Sequence, residues 1–425
     1  MTVTDPSARP PTGTISAART PRISRTKGSR ILLAALGGFV LLSLVRVISG
    51  AEDITTGGAF GAAISLAVPI GLAGLGGLWS ERSGVVNIGL EGMMILGTWF
   101  GAAFAYFSGS PWMGILGGIA GGLIGGLVHA IATVTFGVDQ IVSGVAITIL
   151  STGLARYLAG VFFTGQPGGG PTQSPSIPTF NNLQIPGAAD ALSKLEKHHW
   201  FVIADLAGLL RALATTLTPF TILMVLMFPL TWFVLWRTSF GLRLRACGEN
   251  PDEAETLGVP VYRMKYAAVL VSGALAGLGG AFLADIGGLY REGQTGGRGF
   301  IGLAAMIFGN WRPGGLAAGA GLFGFTDALQ LRQGSTSVHA LLLLVAFILV
   351  ALAGYQLWRR RIAQSILTTA GAVLFFIWYA FTNDVPIEFV PATPYIITLL
   401  VLALASQRLR PPAADGIPWR KGQGS

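Results

Sequence analysis

Charge is what this chain has least of. Only 11% of its 425 residues are Asp, Glu, Lys or Arg, less than half of the roughly 25% usual in soluble proteins. So few charges cannot coat the two or three water-facing domains that the length would otherwise suggest. Cysteine is nearly missing as well. The single Cys247 excludes an intramolecular disulfide, a four-cysteine zinc site and a Cys-x-x-Cys redox pair. The histidines, His129, His198, His199 and His339, show no HExxH spacing, and the adjacent pair reads as a solvated surface pair rather than a metal site. No lysine stands in a Gly-Lys-Ser/Thr phosphate loop, so nucleotide binding by that route is excluded. Gly319-Ala-Gly321-Leu-Phe-Gly324 fits the dinucleotide fingerprint letter for letter. It lies in an apolar run with no strand before it, and the match is accidental. With no nucleophile–base pair and no metal constellation, we expect no catalytic residue, metal or cofactor.

What the chain does have is apolar surface: 52% hydrophobic residues, 61 glycines and a mean hydropathy of +0.64. A helix crosses a bilayer with about 20 apolar residues, and runs of that order recur at 31–48, 58–79, 84–107, 112–134, 141–163, 217–237, 266–286, 299–331, 337–357, 364–381 and 391–407. The fold class expected is all-α, a polytopic transmembrane helix bundle. The net charge of +9 is not that of a nucleic-acid binder, because the cations gather between apolar runs as the positive-inside rule requires. They cluster in the first 30 residues, at Arg237, Arg243, Arg245, Arg263 and Lys265, at Arg359 to Arg361, and at Arg408, Arg410, Arg420 and Lys421.

Residues 1–30 read as a disordered basic cytoplasmic tail. The run after them is long enough to span and lacks a small-residue cleavage site, so it reads as an uncleaved first span. Placing every basic cluster on one side requires the run 299–331 to enter and return. Its centre, Gly309-Asn310-Trp311-Arg312-Pro313-Gly314-Gly315, supplies the helix breakers, in a place where irregular backbone is tolerated only inside protein or beside water. About ten full spans plus one broken half-helix hairpin follow. They occupy a transmembrane domain over 31–407, with an extracytoplasmic loop at 164–216, a cytoplasmic loop at 238–264 and a cytoplasmic tail at 408–425. Gly117, Gly121 and Gly125 repeat every four residues, as do Gly118, Gly122 and Gly126, the spacing that lets helix backbones approach closely.

Two polar segments stand out. In Cys247-Gly-Glu-Asn-Pro-Asp-Glu-Ala-Glu-Thr-Leu-Gly-Val-Pro260, Asn250 is a good N-cap, Pro251 suits the first helical position and Glu253 completes a capping-box pattern. Gly258 can close the helix in a left-handed conformation. So short a helix is marginal alone; it asks for something to dock on, and Ala254 and Leu257 offer a small apolar contact. The second segment, from Trp79 to Met94, sets Glu81, Arg82, Asn87 and Glu91 between apolar runs, where charges must pair or face water. Its glycines permit a broken helix of the kind that exposes backbone to a transported solute. Asp139 and Gln140 at the start of the fifth span, and Asp327, are similar in kind. Arg46 and Arg156 are expected to pair or snorkel within the bundle.

Ser80-Glu-Arg-Ser-Gly-Val-Val-Asn-Ile-Gly-Leu-Glu-Gly-Met93 resembles the signature of bacterial ABC-importer permeases of the branched-chain amino acid, ribose and nucleoside superfamily. The likeness is nearest to the nucleoside branch, whose partner is a basic-membrane-lipoprotein-like binding protein. The segments 245–258, 297–310 and 416–422 agree with that branch in the same order, and the resemblance covers about 60 to 410. It implies that 249–258 is a coupling helix seated on an ATPase subunit through Glu249, Asn250, Pro251, Glu253, Ala254, Leu257 and Gly258. It implies a complex of two permeases, ATPase subunits and an extracellular substrate-binding lipoprotein. That complex would lie in the lipid of a bacterial inner membrane, with both termini cytoplasmic and ATP hydrolysis on the partner. Glu81, Asn87, Glu91, Asp139, Gln140 and Asn310 are the candidates for the substrate pathway, and Tyr106 and Phe300 for stacking a base. Asn310 stands where relatives commonly have lysine, and Thr148 where an asparagine is common after Ser143-Gly144. The alternatives are the same machinery carrying ribose or galactose, and an ion-coupled secondary transporter, which leaves the capped helix without a purpose.

Overall fold

The computed structural model describes residues 25–386, 388–393, 396 and 409–422. The basic tail as far as residue 24, and most of the last apolar run at 391–407, lie outside the described residues. Within them the chain is helical, and its only strand-like pairing is two isolated bridges, Gly170 to Gln173 and Gln173 to Arg291. Eight described helices are long and apolar enough to cross a membrane. They are α2 (Gly57–Glu81), α3 (Leu90–Ser108), α4 (Pro111–Ala130, continued by a wider π turn over Ile131–Thr135), α5 (Gln140–Phe162), α8 (Pro219–Arg237), α11 (Val261–Gly287), the second half of α13 (Pro313–Trp358) and α14 (Ile362–Phe381). The first expected span is α1 (Arg25–Ser49), whose described apolar part is Ala35–Ser49.

The expected hairpin is present. α12 (Arg298–Phe308) stops before Gly309, and α13 resumes at Pro313. Asn310 and Trp311 between them have φ of 53° and 52°, a left-handed conformation that costs L-residues about 1–2 kcal/mol each. α13 is itself two helices, joined at Gly334 with φ 56° and ψ −124°, so the apolar runs 299–331 and 337–357 are separated as the sequence divides them.

The glycine stripes explain how the centre packs. Gly118, Gly122 and Gly126 of α4 lie against α11, where a Cβ on Gly122 would overlap the Gly273 carbonyl. Gly117, Gly121 and Gly125 turn instead to α3, meeting Phe100, Leu96 and Met93. One helix thus presents two smooth edges to two neighbours. Gly97 of α3 meets Gly277 of α11 in the same way. Gly324 packs on Ala63 and Ala67 of α2 from inside α13, and Gly319 on Ala305 of α12, so the outer two of the dinucleotide-like glycines are helix-packing residues, while Gly321 meets open space. α5 and α14 lie outside this centre, with Val145, Ile149, Tyr157, Leu367 and Leu374 exposed.

Shorter helices fill the two long connections. The segment 164–216 holds α6 (Ala188–Glu196) and α7 (Ile203–Thr215), and the segment 238–264 holds α9 (Ser239–Glu249) and α10 (Pro251–Thr256). α9 starts where the Thr238 hydroxyl accepts from the Gly241 N–H at 3.2 Å. Arg46 and Asp205 form an ion pair at 2.9 Å, at 5% and 1% exposure, tying α1 to α7. Arg156 pairs with Glu292 at 3.5 Å.

Candidate functional site

α2 ends in a turn closed by its own serines. Ser80 Oγ donates to the Val85 carbonyl at 2.6 Å, and Ser83 Oγ to the Ser80 carbonyl at 2.7 Å. The sequence reading ran the next span from residue 84, but helix resumes only at Leu90. Residues 85–87 are non-helical, and side chains from neighbouring helices take up their backbone groups. Gln140 Oε1 accepts from the Val86 N–H at 2.6 Å, and His129 Nε2 lies 3.0 Å from the Val86 carbonyl while its Nδ1 meets Ser143 Oγ at 2.9 Å. Asn87 is fully buried and donates to Ser272 Oγ of α11 at 2.9 Å. Its Oδ1 has no hydrogen-bond partner among the described residues.

Glu91 is committed elsewhere. Its Oε1 accepts from the Gly297 N–H at 3.0 Å and its Oε2 from the Gly299 N–H at 2.7 Å, so a carboxylate on α3 caps the amino end of α12. Those N–H groups have no partner within their own helix, and the positive end of the helix dipole favours an anion there. Arg298 beside them pairs with Asp327 of α13 at 2.5 Å. The broken helix expected from the glycines is therefore present, held by a ring of buried polar side chains.

A second cluster lies where the α12–α13 hairpin meets the end of α2. Trp311 Nε1 donates to Glu81 at 2.5 Å, and Arg82 donates to the Trp311 carbonyl through two nitrogens at 2.8 and 3.2 Å. Asn310 Oδ1 accepts from the Arg410 N–H at 2.9 Å. These bonds hold the two left-handed residues in place. Burial pulls the Arg82 guanidinium below its usual pKa, while Glu249, 3.8 Å away, opposes that. Asp415 shares a hydrogen bond with Glu81, and burial pushes its carboxyl up to about 6.

α10 begins as the sequence indicates, with Asn250 Oδ1 accepting from the Glu253 N–H at 3.2 Å. The reciprocal half of the capping box has no opening, because the Asn250 N–H is already bonded to the Ala246 carbonyl of α9 at 2.9 Å. Gly258 closes the helix with φ 81°. The two apolar residues part company: Ala254 is 3% exposed, against Cys247 and Val261, whereas Leu257 is 84% exposed beside exposed Glu253. A single apolar residue is thus offered outward where two were expected.

The six pathway candidates therefore separate. Asn87, Glu91 and Gln140 meet at the broken helix, and Glu81 and Asn310 meet at the hairpin. Asp139 is an exposed N-cap of α5, accepting from the Ile141 and Val142 N–H groups at 2.9 Å. Tyr106 lies near the far end of α3, bonded to Gln166 at 3.1 Å, about 20 Å from Glu91 at the helical rise. It makes no platform with Phe300 of α12, beside Glu91. The sequence alone assigns no site role to His129, Ser272, Trp311, Asp415 or Trp419. The first two sit singly in apolar runs, and only contact between distant helices gives them a purpose.

Comparison with known proteins gives the family. The family profile described as branched-chain amino acid transport system, permease component, matches residues 59–353. The guanosine ABC transporter permease NupQ of Bacillus subtilis is 33% identical over 370 residues, 85% of this chain and 96% of that protein. The nucleoside ABC transporter permease NupC of Lactococcus lactis is 31% identical over 366 residues, 84% of this chain and 94% of its own length. TsgC13 of Haloferax volcanii, assigned to a glucose ABC transporter, is 38% identical over 284 residues, 66% of this chain and 79% of its own. No solved structure matches the chain. With its apolar helices and a likeness that runs through both polar clusters, the chain is a multi-pass membrane protein and belongs to the ABC-transporter permeases of the branched-chain amino acid transport family.

Proposed function

We propose that this chain is the membrane-spanning subunit of an ATP-driven importer of nucleosides. The observation that carries the substrate class is the alignment of nucleoside and guanosine permeases along 94% and 96% of their lengths. ATP is bound and hydrolysed on a partner, in a bacterial inner membrane, with the end of the bundle carrying α9 and α10 in the cytoplasm. α10 presents Glu253 and Leu257 to the ATPase, whose closure on ATP pushes the helix. An extracellular lipoprotein delivers the substrate, and a second permease completes the pathway. Asn87 Oδ1, which has no partner among the described residues, supplies an acceptor suited to a hydroxyl of a neutral, hydroxyl-rich solute. Coupling to a partner ATPase needs a rigid element at the docking point, and α10, capped by Asn250 and closed at Gly258, fits that need.

Uptake of labelled guanosine, uridine and ribose, in cells with and without the gene, tests the reading. Each assay is repeated after the ion gradients are collapsed with ATP maintained. Gene-dependent nucleoside uptake that survives the collapse supports it, and loss on collapse points to a secondary transporter. A sugar importer is the second reading, favoured by the likeness to TsgC13, and gene-dependent ribose uptake alone would establish it. Glu253→Arg places a cation on the exposed face of α10, and uptake falls to the level of the deletion while the protein stays in the membrane.

A further inference from the structure

Resting on the reading of α10 as the docking helix, we propose that residues 409–422 form a strap that carries the movement of α10 to the 80–91 turn. Asp415 and Trp419 are its positioning residues. The strap touches the hairpin cluster, the end of α9, the turn after α2 and α10. The Arg410 N–H donates to Asn310 at 2.9 Å, the Ala413 N–H to Glu249 Oε2 at 3.3 Å and the Ala414 N–H to the Gly248 carbonyl at 2.9 Å. At Ala414 three stretches of chain meet with no side chain between them. A Cβ on Gly84 would lie 3.0 Å from the Ala414 carbonyl oxygen, and one on Gly248 would overlap the Arg82 carbonyl. Backbones packed to that density pass a displacement on, because they have nothing to compress. Asp415 then places its carboxyl against Glu81 at the end of α2.

Further on, the strap grips α10 itself. Trp419 Nε1 donates to Asp252 Oδ1 at 2.7 Å, and its ring lies 5.2 Å from that of Tyr262. Lys421 pairs with Glu255 at 3.5 Å, and Arg420 reaches the Phe136 carbonyl beyond α4 at 3.4 Å. Of α10's own residues only Pro251 and Ala254 are buried. A short acidic helix with so little of its own purchase is fixed to the bundle through a basic strap. The exposed Glu253 and Leu257 stay free for a partner while the other face is tied down.

The chain carries its own reporter. Cys247 is the single cysteine, fully buried in the cluster on which Trp419 packs. The test uses the assembled transporter in membrane vesicles and reads three quantities: maleimide labelling of Cys247, guanosine uptake and ATP hydrolysis. Trp419→Ala frees the strap. Labelling is expected to rise roughly tenfold as the local opening becomes populated, and uptake to fall by a similar factor while hydrolysis stays within about twofold. Trp419→Phe keeps the ring against Tyr262 and restores both protection and part of the uptake. Lys421→Glu impairs uptake, and adding Glu255→Lys recovers it.

Wild-type labelling and uptake in Trp419→Ala would overturn the strap, and so would equal losses of uptake and hydrolysis, which mark a merely structural role. If Trp419→Ala fails to accumulate, Trp419→Phe and the Lys421/Glu255 exchange decide on the same readouts. Glu253→Arg, run alongside, separates the two ideas. Normal import by that variant removes the docking reading itself, whereas its loss beside a fully active Trp419→Ala removes only the strap.

Discussion

Two carboxylates show how differently buried acids are employed in this bundle. Glu91 accepts two N–H groups at the start of α12, and such charge-assisted bonds are worth about 1.5–3 kcal/mol each. Replacing it with alanine leaves both donors buried and unmet. We expect Glu91→Ala to lower the midpoint of thermal unfolding of the detergent-solubilised protein by several degrees, and Glu91→Gln, which keeps one acceptor, by less. Asp415 is the opposite case: burial raises its pKa from 3.8 to about 6, against the downward pull of its hydrogen bond with Glu81 and of the Lys265 and Arg82 charges. A carboxyl that binds its proton more tightly when docked is penalised above pH 6 and relieved on acidification between about 6 and 3.8. Asp415→Asn mimics the protonated form. It is therefore expected to unfold at a higher temperature than the wild type at pH 7.5, with the gap narrowing below pH 6 and closing towards pH 3.8. A constant gap across that range would show that the carboxyl does not titrate in the docked tail.

Among the elements, α4 is the most sensitive to volume. Gly122→Ala puts a methyl group into the Gly273 carbonyl, while Gly321, in the middle of the dinucleotide-like triplet, has nothing within 4 Å of where its Cβ would be. Membrane accumulation is expected to fall sharply for Gly122→Ala and to stay unchanged for Gly321→Ala, as quantitative blotting of membranes would measure. Spacing made the α4 stripes legible in the sequence, because a repeat of four lines one side of a helix. The partner of each stripe was not legible, since α11 lies far along the chain. α10 was legible from Asn250, Pro251 and Gly258, whose preferences act within a few residues. α9 was missed because its arginines break any apolar run. The start of α3 differs from the sequence expectation because Val85, Val86 and Ile88 look like span residues, although Gln140 and His129 hold the Val86 backbone and Ser80 the Val85 carbonyl.

On the scale of the whole molecule, hydropathy and charge were sufficient for a helical bundle with a break in the run 299–331, because lipid leaves few other options. They could not say which polar residues face a solute and which brace the fold. Glu81, Glu91, Gln140 and Asn310 prove to be bonded within the protein, and only the folded arrangement reveals partners 54 to 230 residues away. The meeting of α3, α4 and α11 has a mechanical meaning too. Side chains between helices act as bearings: they can change rotamer and let one rod slide past another. Here the glycines bring backbone against backbone, so those bearings are missing and the three rods are keyed together like laminate. Whatever tilts during a transport cycle pivots around this plate. Pairs of spin labels at the start of α4 and the end of α11 should keep their separation in the presence and absence of ATP, while labels on α5 and α14 shift.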